Sequence, residues 1–290
     1  MTTKASATLA KFFADKNIAK TYSSAERATS PPARALLLQA GLHSPGDGSY
    51  EILDNACGTG VVTMALIQAF KGKEEQLKVV CGDFSPRMVE AVKERISQVD
   101  GLQAEARELN GQAMEIEQNR FTHVLTNFGF QSFPEPLSGL RESIRVAKPG
   151  GTVGMTNWIT AGWVPAFRLA VSRIPGAPSP LQDPLPFMTR TNRFFDVAWT
   201  RQQLEAIPEV DPTTIQIEEH TFVTTLKSEA EISELVTPME GMLSVFTSDW
   251  SEEEQKACGE GRLLESIKQA VREEPDLVWK SLITTVRKRA

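Results

Sequence analysis

The stretch Glu51-Ile-Leu-Asp-Asn-Ala-Cys-Gly-Thr-Gly60 joins an apolar strand, a glycine turn and the start of a helix. Ile52 and Leu53 indicate the end of a buried strand, and Asp54 is the first polar residue at its tip. The run from Val61 to Phe70 is apolar at helical spacing. Glycines let the backbone approach a ligand closely, and a helix N-terminus offers unpaired N–H groups. The segment therefore predicts a nucleotide-sized binding site.

The glycine spacing and the preceding acidic residue indicate which nucleotide this site binds. A dinucleotide fingerprint requires a third glycine three residues after Gly60, and this sequence has Thr63 there. The carboxylate of Asp54 would also repel a diphosphate. A ligand whose amino acid end carries a positive charge suits that carboxylate far better.

Asp83 follows a second apolar strand, Leu77 to Gly82, and is a candidate to bind ribose hydroxyls. It lies 23 positions beyond Gly60, about where a βαβ unit places the carboxylate that accepts two such bonds. Ser85-Pro86 then predicts the start of a helix over residues 87–98, because serine caps helices and proline is tolerated in the first turn.

This cluster resembles motif I of the class I S-adenosylmethionine (SAM)-dependent methyltransferases. Their pattern, acidic-x-small-x-Gly-x-Gly, is matched in order by Asp54, Ala56, Gly58 and Gly60. Their usual second motif, Asp-x-Ser-x-x-Met, is matched from Asp83 to Met88, and residues 50–160 follow the order and spacing of the family core. The resemblance implies an α/β fold, a Rossmann-like seven-stranded SAM-methyltransferase sheet with the last strand antiparallel, plus helical lid and cap insertions.

Three shorter strings narrow the resemblance. Cys81-Gly-Asp-Phe-Ser85, the run from Thr122 to Pro134 and Leu282-Ile-Thr-Thr285 look like the fungal small-molecule methyltransferases of secondary metabolism, of the gliotoxin bis-thiomethyltransferase type. This implies SAM as the cofactor, S-adenosylhomocysteine as the product, no metal, and S-methylation of a thiol or dithiol natural product. O-methylation of a phenol or carboxylic acid metabolite, a SAM-binding cyclase and a non-catalytic methyltransferase-like regulator stay open as alternatives.

The resemblance also assigns cofactor-binding positions. Those in motif I, after the second and third strands and after the fourth strand are Asp54, Ala56, Cys57, Gly58, Gly60, Asp83, Phe84, Met88, Asn110, Gly111, Gln112, Asn127 and Phe128. Asn110 is expected at the adenine ring because its amide both donates and accepts, with Gln112 as the alternative. Tyr22 and Arg27 are expected to close over the SAM carboxylate, Arg27 through a charge-assisted pair.

Aromatic, amide and methionine side chains indicate the substrate-binding positions, since aromatic rings and methionine adapt to a flat or sulfur-bearing metabolite. The candidates are Phe13, Gln131, Trp158, Trp163, Met239 and Met242, with Tyr22 and Gln131 as positioning residues. Phe13, Met239 and Met242 fit a helix core equally well.

None of the histidines (His43, His123 and His220) is a convincing general base, which favours an already acidic nucleophile such as a thiol. No histidine or aspartate cluster indicates a metal.

Composition limits the partners. A net charge of −6 and a pI near 5.3 argue against a nucleic-acid partner, because phosphate binding relies on excess Lys and Arg. The three cysteines lack Cys-x-x-Cys spacing, which favours a reducing compartment. The sequence has no apolar leader and no apolar run of membrane length, so we expect a cytoplasmic protein that does not bind membranes. We expect a monomer or a weak homodimer that acts on a small molecule.

The predicted elements describe a core interrupted by caps. We expect an N-terminal helical lid at 1–45, the SAM-binding core at 46–160, a proline-rich substrate-cap insertion at 161–199, a core helix and strand at 200–227, a helical cap at 228–274 and a C-terminal core strand at 275–290. Further strands are predicted at 104–109, 123–127, 152–156, 213–226 and 278–286, and a helix at 136–146.

Helix-start signals complete the expectations. Two helical pieces are predicted within residues 5–42, the second starting at Pro31-Pro32. Capping boxes begin at Thr200, Ser228 and Ser251. The helix after Ser228 is expected to include Met242, and the helix after Ser251 is expected to include Leu263, Leu264 and Ile267.

Overall fold

Seven strands form one sheet in the computed structural model, which describes residues 18–44, 46–178, 193–237 and 240–290. They are β1 (Tyr50–Asn55), β2 (Leu77–Asp83), β3 (Gln103–Glu108), β4 (Phe121–Asn127), β5 (Ala147–Thr160), β6 (Val210–Thr225) and β7 (Asp276–Lys288). Their order across the sheet is β3-β2-β1-β4-β5-β7-β6, with the last strand of the chain antiparallel. The predicted Rossmann-like α/β fold is confirmed.

Helices flank these strands. Those in the described part of the chain are α1 (Ile18–Gln39), α2 (Val61–Ala69), α3 (Pro86–Ile96), α4 (Pro136–Val146), α5 (Val164–Ser172), α6 (Val197–Glu205), α7 (Glu229–Val236), α8 (Glu240–Phe246), α9 (Glu252–Cys258) and α10 (Glu260–Glu273). None of them has the length and apolar character needed to cross a bilayer. The central predictions are confirmed. The helix α4 has the predicted bounds, the glycine turn lies between β1 and α2, and β2 is the predicted second strand.

The prediction that a helix starts at Pro31-Pro32 is wrong, because both prolines lie inside α1. Proline disfavours a helix interior, since it has no N–H and its ring crowds the preceding turn. The residues that follow it here, Ala33, Leu36 and Leu37, are buried in the core, and their apolar burial offsets the lost hydrogen bonds. The part of the predicted first helical piece before residue 18 lies outside the described residues.

Thr200 does not start a helix. It lies buried within α6, which begins at Val197, and Asp196 is the cap because its carboxylate accepts the N–H of Trp199 at 3.0 Å. The capping residues Ser228 and Ser251 are confirmed.

The helices after these two caps are shorter than predicted. Because α7 ends at Val236, Met242 lies on the separate helix α8. Because Gly259 has a left-handed φ of 45° and ends α9, residues 263–267 lie on α10. The apolar pattern was continuous across both breaks, so periodicity alone did not reveal them.

The described residues divide between two compact units. The first consists of residues 26–44, 46–159, 193–220 and 281–290, and the second of residues 18–25, 160–178, 221–237 and 240–280. In the first unit, alternate residues of the sheet face two apolar layers: Leu53 and Val80 enter one, and Ile52 and Val79 enter the other. Both faces of the central strands are thus buried, and their carboxyl ends are left to carry polar groups. The predicted lid and cap boundaries stay a prediction.

Candidate functional site

Asp54 and Asp83 lie at the carboxyl ends of β1 and β2, which are adjacent and parallel. In an open α/β sheet, ligands bind beyond this edge. Both side chains are almost fully buried, with 1% and 6% of their surface exposed. The edge therefore presents two buried carboxyl groups on either side of the glycine turn.

Asp54 is tied to the first turn of α2 through Thr63. Its Oδ2 accepts the Thr63 hydroxyl at 2.7 Å and the Thr63 N–H at 3.1 Å. Burial raises the pKa of Asp54 to about 7, the hydrogen bonds from Thr63 oppose the rise, and the charge of Asp83 adds to it. A cationic group beside Asp54 would therefore restore its charged form.

Asp83 joins the glycine turn to the start of α3. Its Oδ2 accepts the N–H of Gly58 and its Oδ1 accepts the N–H of Ser85, both at 2.9 Å. Burial raises the pKa of Asp83, and these two backbone bonds lower it. Each carboxylate oxygen has two acceptor positions, so each can take a further bond from a hydroxyl group.

The turn between β1 and α2 requires glycine. Gly58 and Gly60 adopt left-handed conformations with φ of 53° and 91°. A Cβ on Gly60 would lie 2.6 Å from Val92 Cγ2, so α3 can approach only a bare backbone. Ala56 also has a positive φ of 55°. Such strain clusters at functional sites, and it supports the assignment of this turn to ligand binding.

Three further predicted cofactor residues flank the two carboxylates. Phe84, the residue after Asp83, is 53% exposed although its side chain is large and apolar. Cys57 and Met88 are buried. The hydrogen bond with Cys81, together with burial, raises the pKa of the Cys57 thiol. Phe84 thus offers an aromatic face at the sheet edge, whereas Cys57 and Met88 contribute packing.

The turn after β3 packs against the tip of β1. Asn110 Oδ1 accepts the N–H of Gln112 at 3.0 Å, and Gln112 Oε1 accepts the N–H of Glu135 at 2.6 Å. A Cβ on Gly111 would lie 2.5 Å from Asn55 Oδ1, so this position also needs glycine. The amide groups of Asn110 and Gln112 shape the turn, and their contact with adenine stays a prediction.

The loop after β4 is held to β5 by side-chain bonds. Asn127 Oδ1 accepts the Thr156 hydroxyl at 2.7 Å, while Asn127 Nδ2 donates to the Thr29 carbonyl of α1 at 3.3 Å. The N–H of Trp158 donates to Gln131 Oε1 at 3.4 Å. The edge of β4 and β5 therefore carries Asn127, Gln131 and Trp158 together, and their contact with cofactor and substrate stays a prediction.

The remaining predicted residues divide between the second unit, α1 and the part of the chain outside the described residues. Trp163 belongs to the second unit, where its ring stacks on Phe246 with centroids 4.8 Å apart, and Met242 is half-buried on α8 of the same unit. Arg27 is an exposed residue of α1, and Tyr22 is part of the same helix. Phe13 and Met239 lie outside the described residues.

Two residues of this edge were missed by the sequence analysis. Glu26 of α1 accepts a hydrogen bond from Thr59 in the glycine turn. Asn157 in β5 is 1% exposed, and neither atom of its amide has a hydrogen-bond partner among the described residues. The only sequence feature that could have indicated Asn157 is its position directly before Trp158, at the end of an apolar strand. No sequence feature indicated Glu26.

Comparison with known proteins gives a consistent result. Residues 52–151 match a family model described as a methyltransferase domain. The chain is 32% identical over 195 residues to the methyltransferase tpcH of Aspergillus fumigatus, covering 67% of each chain. It is 27% identical over 268 residues to the acetylaranotin bis-thiomethyltransferase of Aspergillus terreus, covering 90% of this chain and 88% of that one. The solved YcgJ protein of Bacillus subtilis shares the fold, with a TM-score of 0.54, 13% identity and coverage of 89% and 98%.

Proposed function

Because the chain belongs to the class I SAM-dependent methyltransferases of the fungal secondary-metabolite type, we propose that it S-methylates a thiol or dithiol of a small natural product. The choice of a thiol as the methylated group rests on the alignment with acetylaranotin bis-thiomethyltransferase, which extends over 90% of this chain. That alignment is much longer than the 52–151 methyltransferase domain, so it includes segments outside the SAM-binding core. This supports a similar class of substrate.

The described residues fit SAM. The carboxyl group of Asp54 suits the ammonium of its amino acid end, and both oxygens of Asp83 can accept ribose hydroxyls. Gly58 and Gly60 place no side chain on the turn, and no atom lies within 4 Å of the Cβ position of Gly58, so a ligand can approach its backbone. The exposed ring of Phe84 can lie against the adenine. We propose these roles for Asp54, Asp83, Gly58, Gly60 and Phe84, with Ala56 as the strained link that orients the turn.

When bound, SAM supplies an electrophilic methyl group on a sulfonium ion. The chain has to hold the nucleophile in line with that methyl group at about 3–3.5 Å and exclude water. Such positioning can lower a barrier by up to about 7–11 kcal/mol. We propose that Phe128, Gln131 and Trp158, at the edge of β4 and β5, position the substrate. Such a site needs alignment more than it needs covalent chemistry.

The histidines support a nucleophile that needs no general base. Burial lowers the pKa of His123 to about 4, and its Nδ1 lies 3.1 Å from the Thr122 hydroxyl near the start of β4, away from the carboxyl edge. His220 lies on β6, three strand positions from β4 across the sheet. His43 is exposed in the turn before β1. A thiol with a pKa of about 8.5 is a few per cent thiolate at neutral pH and can react without such a base.

Methyl transfer to matched substrates tests this function. The protein is incubated with methyl-labelled SAM and with a dithiol metabolite, its dihydroxy analogue, a phenol and a carboxylic acid, and the products are identified by mass spectrometry. We expect label on sulfur with the dithiol and far less with the oxygen analogues. Asp83→Ala is the control, and should abolish transfer. Label on oxygen alone, or no transfer to any thiol, would contradict the proposal.

A further inference from the structure

Glu26, Thr59 and Arg95 form a closed hydrogen-bonded network over the glycine turn. The Thr59 hydroxyl donates to Glu26 Oε1 at 2.7 Å. Arg95 Nη1 donates to the same Glu26 oxygen at 2.5 Å and to the Thr59 carbonyl at 2.8 Å. We propose that this network holds the turn in the conformation that binds SAM, which makes Glu26 and Arg95 positioning residues for the cofactor.

The turn needs such support because of its own composition. Thr59 stands between two left-handed glycines, Gly58 and Gly60, and glycine loses more conformational freedom on ordering than any other residue. Asp83 fixes the Gly58 N–H from one side. The network fixes both the side chain and the carbonyl of Thr59 from the other, and it leaves only 3% of Thr59 exposed. Ordering the turn before the ligand arrives lowers the entropic cost of binding.

The network links α1 and α3 to the cofactor site through a charged pair. The Glu26 and Arg95 side chains are 23% and 34% exposed, so their charges are only partly screened by water. Loss of either partner leaves the other charge beside the turn. SAM carries a net positive charge from its sulfonium, whereas S-adenosylhomocysteine has no net charge. An unpaired Arg95 should therefore disfavour SAM more than S-adenosylhomocysteine, and an unpaired Glu26 should do the reverse.

This inference rests on the proposed SAM site but not on the identity of the methylated group. Its test is the dissociation constant of SAM and of S-adenosylhomocysteine, measured by calorimetry for wild type, Glu26→Gln, Arg95→Met, Thr59→Val and Thr59→Ser. Arg87→Met is the matched control, because Arg87 lies on the same helix and pairs with Glu90 at an exposed surface. Thermal unfolding without ligand shows whether each variant is folded.

We expect Glu26→Gln, Arg95→Met and Thr59→Val to bind S-adenosylhomocysteine about tenfold more weakly than wild type, equivalent to about 1.4 kcal/mol. Thr59→Ser keeps the hydroxyl and should bind normally, as should Arg87→Met. The ratio of the SAM to the S-adenosylhomocysteine dissociation constant should rise in Glu26→Gln and fall in Arg95→Met. The kcat at saturating SAM should stay within about twofold of wild type, because the network acts on binding.

Normal S-adenosylhomocysteine affinity in both charge variants, or a ratio that moves the same way in both, would overturn the inference. A merely structural network would lower the unfolding temperature without separating the two ligands. Failure to methylate thiols, with these binding differences intact, would overturn only the proposed substrate class. A wild-type protein that binds neither ligand would overturn both proposals.

Discussion

Phe128, the residue after β4, and Trp158 in β5 stack face to face, with ring centroids 3.9 Å apart and planes inclined by 12°. Phe128 has a left-handed φ of 58°, which is strained for a bulky side chain. Its N–H donates to the Thr156 hydroxyl at 3.0 Å and to the Thr156 carbonyl at 3.2 Å. The pair forms a fixed aromatic surface at the carboxyl edge of the sheet, where the substrate is proposed to bind.

Trp158→Leu is predicted to lower kcat/KM for the substrate about tenfold, because a stacked pair contributes about 0.5–1.5 kcal/mol beyond its burial and holds Phe128 in its strained conformation. The S-adenosylhomocysteine dissociation constant should change less than about twofold. Trp199→Leu is the control: it removes an edge-to-face pair with Phe194, at 5.1 Å in the same unit, and should lower stability but not kcat/KM. Equal losses of kcat/KM in the two variants would contradict this role.

Asp54 should make the stability of the ligand-free protein depend on pH. Its pKa is about 7 in the folded protein, against an ordinary value of 3.8. The folded state therefore keeps a proton that the unfolded state has released, and stability falls by up to about 1.4 kcal/mol per pH unit between about pH 4 and 7. Asp54→Asn removes this loss. The unfolding temperature of Asp54→Asn minus that of wild type should increase from about pH 5 to 7.5 and then level off. A difference that does not change with pH would contradict the raised pKa of Asp54.

The same pKa predicts that ligand binding releases protons. An ammonium group beside Asp54 favours the carboxylate, so S-adenosylhomocysteine should displace a proton at about pH 6.5 and not at about pH 8.5. Calorimetry in two buffers of different ionisation enthalpy measures this release. Asp54→Asn should abolish the part of the release that comes from Asp54. Burial also raises the pKa of Asp83, and because Asp83 is present in both proteins, any proton that it releases is a background common to both. Equal release by wild type and variant would place the ammonium elsewhere.

The two motif glycines should differ in their tolerance of alanine. An added Cβ at Gly58 meets no atom within 4 Å, so Gly58→Ala should cost only about 1–2 kcal/mol for its left-handed backbone. Gly60→Ala adds a clash with Val92 at 2.6 Å and should cost more. Val92→Ala should partly relieve that clash, so the double variant should be more stable than additivity predicts. Urea unfolding of the four variants and of wild type measures these changes, and strict additivity of Gly60→Ala and Val92→Ala would exclude the clash.

Asn157→Leu is predicted to stabilise the protein. Neither atom of the Asn157 amide has a partner among the described residues, and burying an unpaired polar group costs about 1–3 kcal/mol. Leucine has a similar shape and removes that cost. Asn127→Leu is the control and should destabilise, because it breaks the bonds to Thr156 and Thr29. Urea unfolding measures both changes, and a destabilised Asn157→Leu would show that the amide is satisfied in solution.

The sequence predicted the features that depend on local patterns. Short apolar runs, glycine at left-handed positions and capping serines are set within a few residues, so β1, the Gly58–Gly60 turn and the Ser251 cap could be predicted directly. The continuation of α1 through Pro31-Pro32 depends on burial against a sheet that is distant in the chain. The bonds from Glu26 to Thr59 and Arg95 join three separate segments, and nothing in their spacing indicates that they meet.

A crystal structure of the protein with bound S-adenosylhomocysteine is the decisive test of the cofactor site. We predict that Asp83 Oδ1 and Oδ2 lie at hydrogen-bond distance, about 2.6–3.2 Å, from the ribose hydroxyls, with the amino acid end of the ligand beside Asp54. An adenosyl group bound away from both carboxylates, or a cleft that takes up a nicotinamide dinucleotide instead, would contradict the assignment.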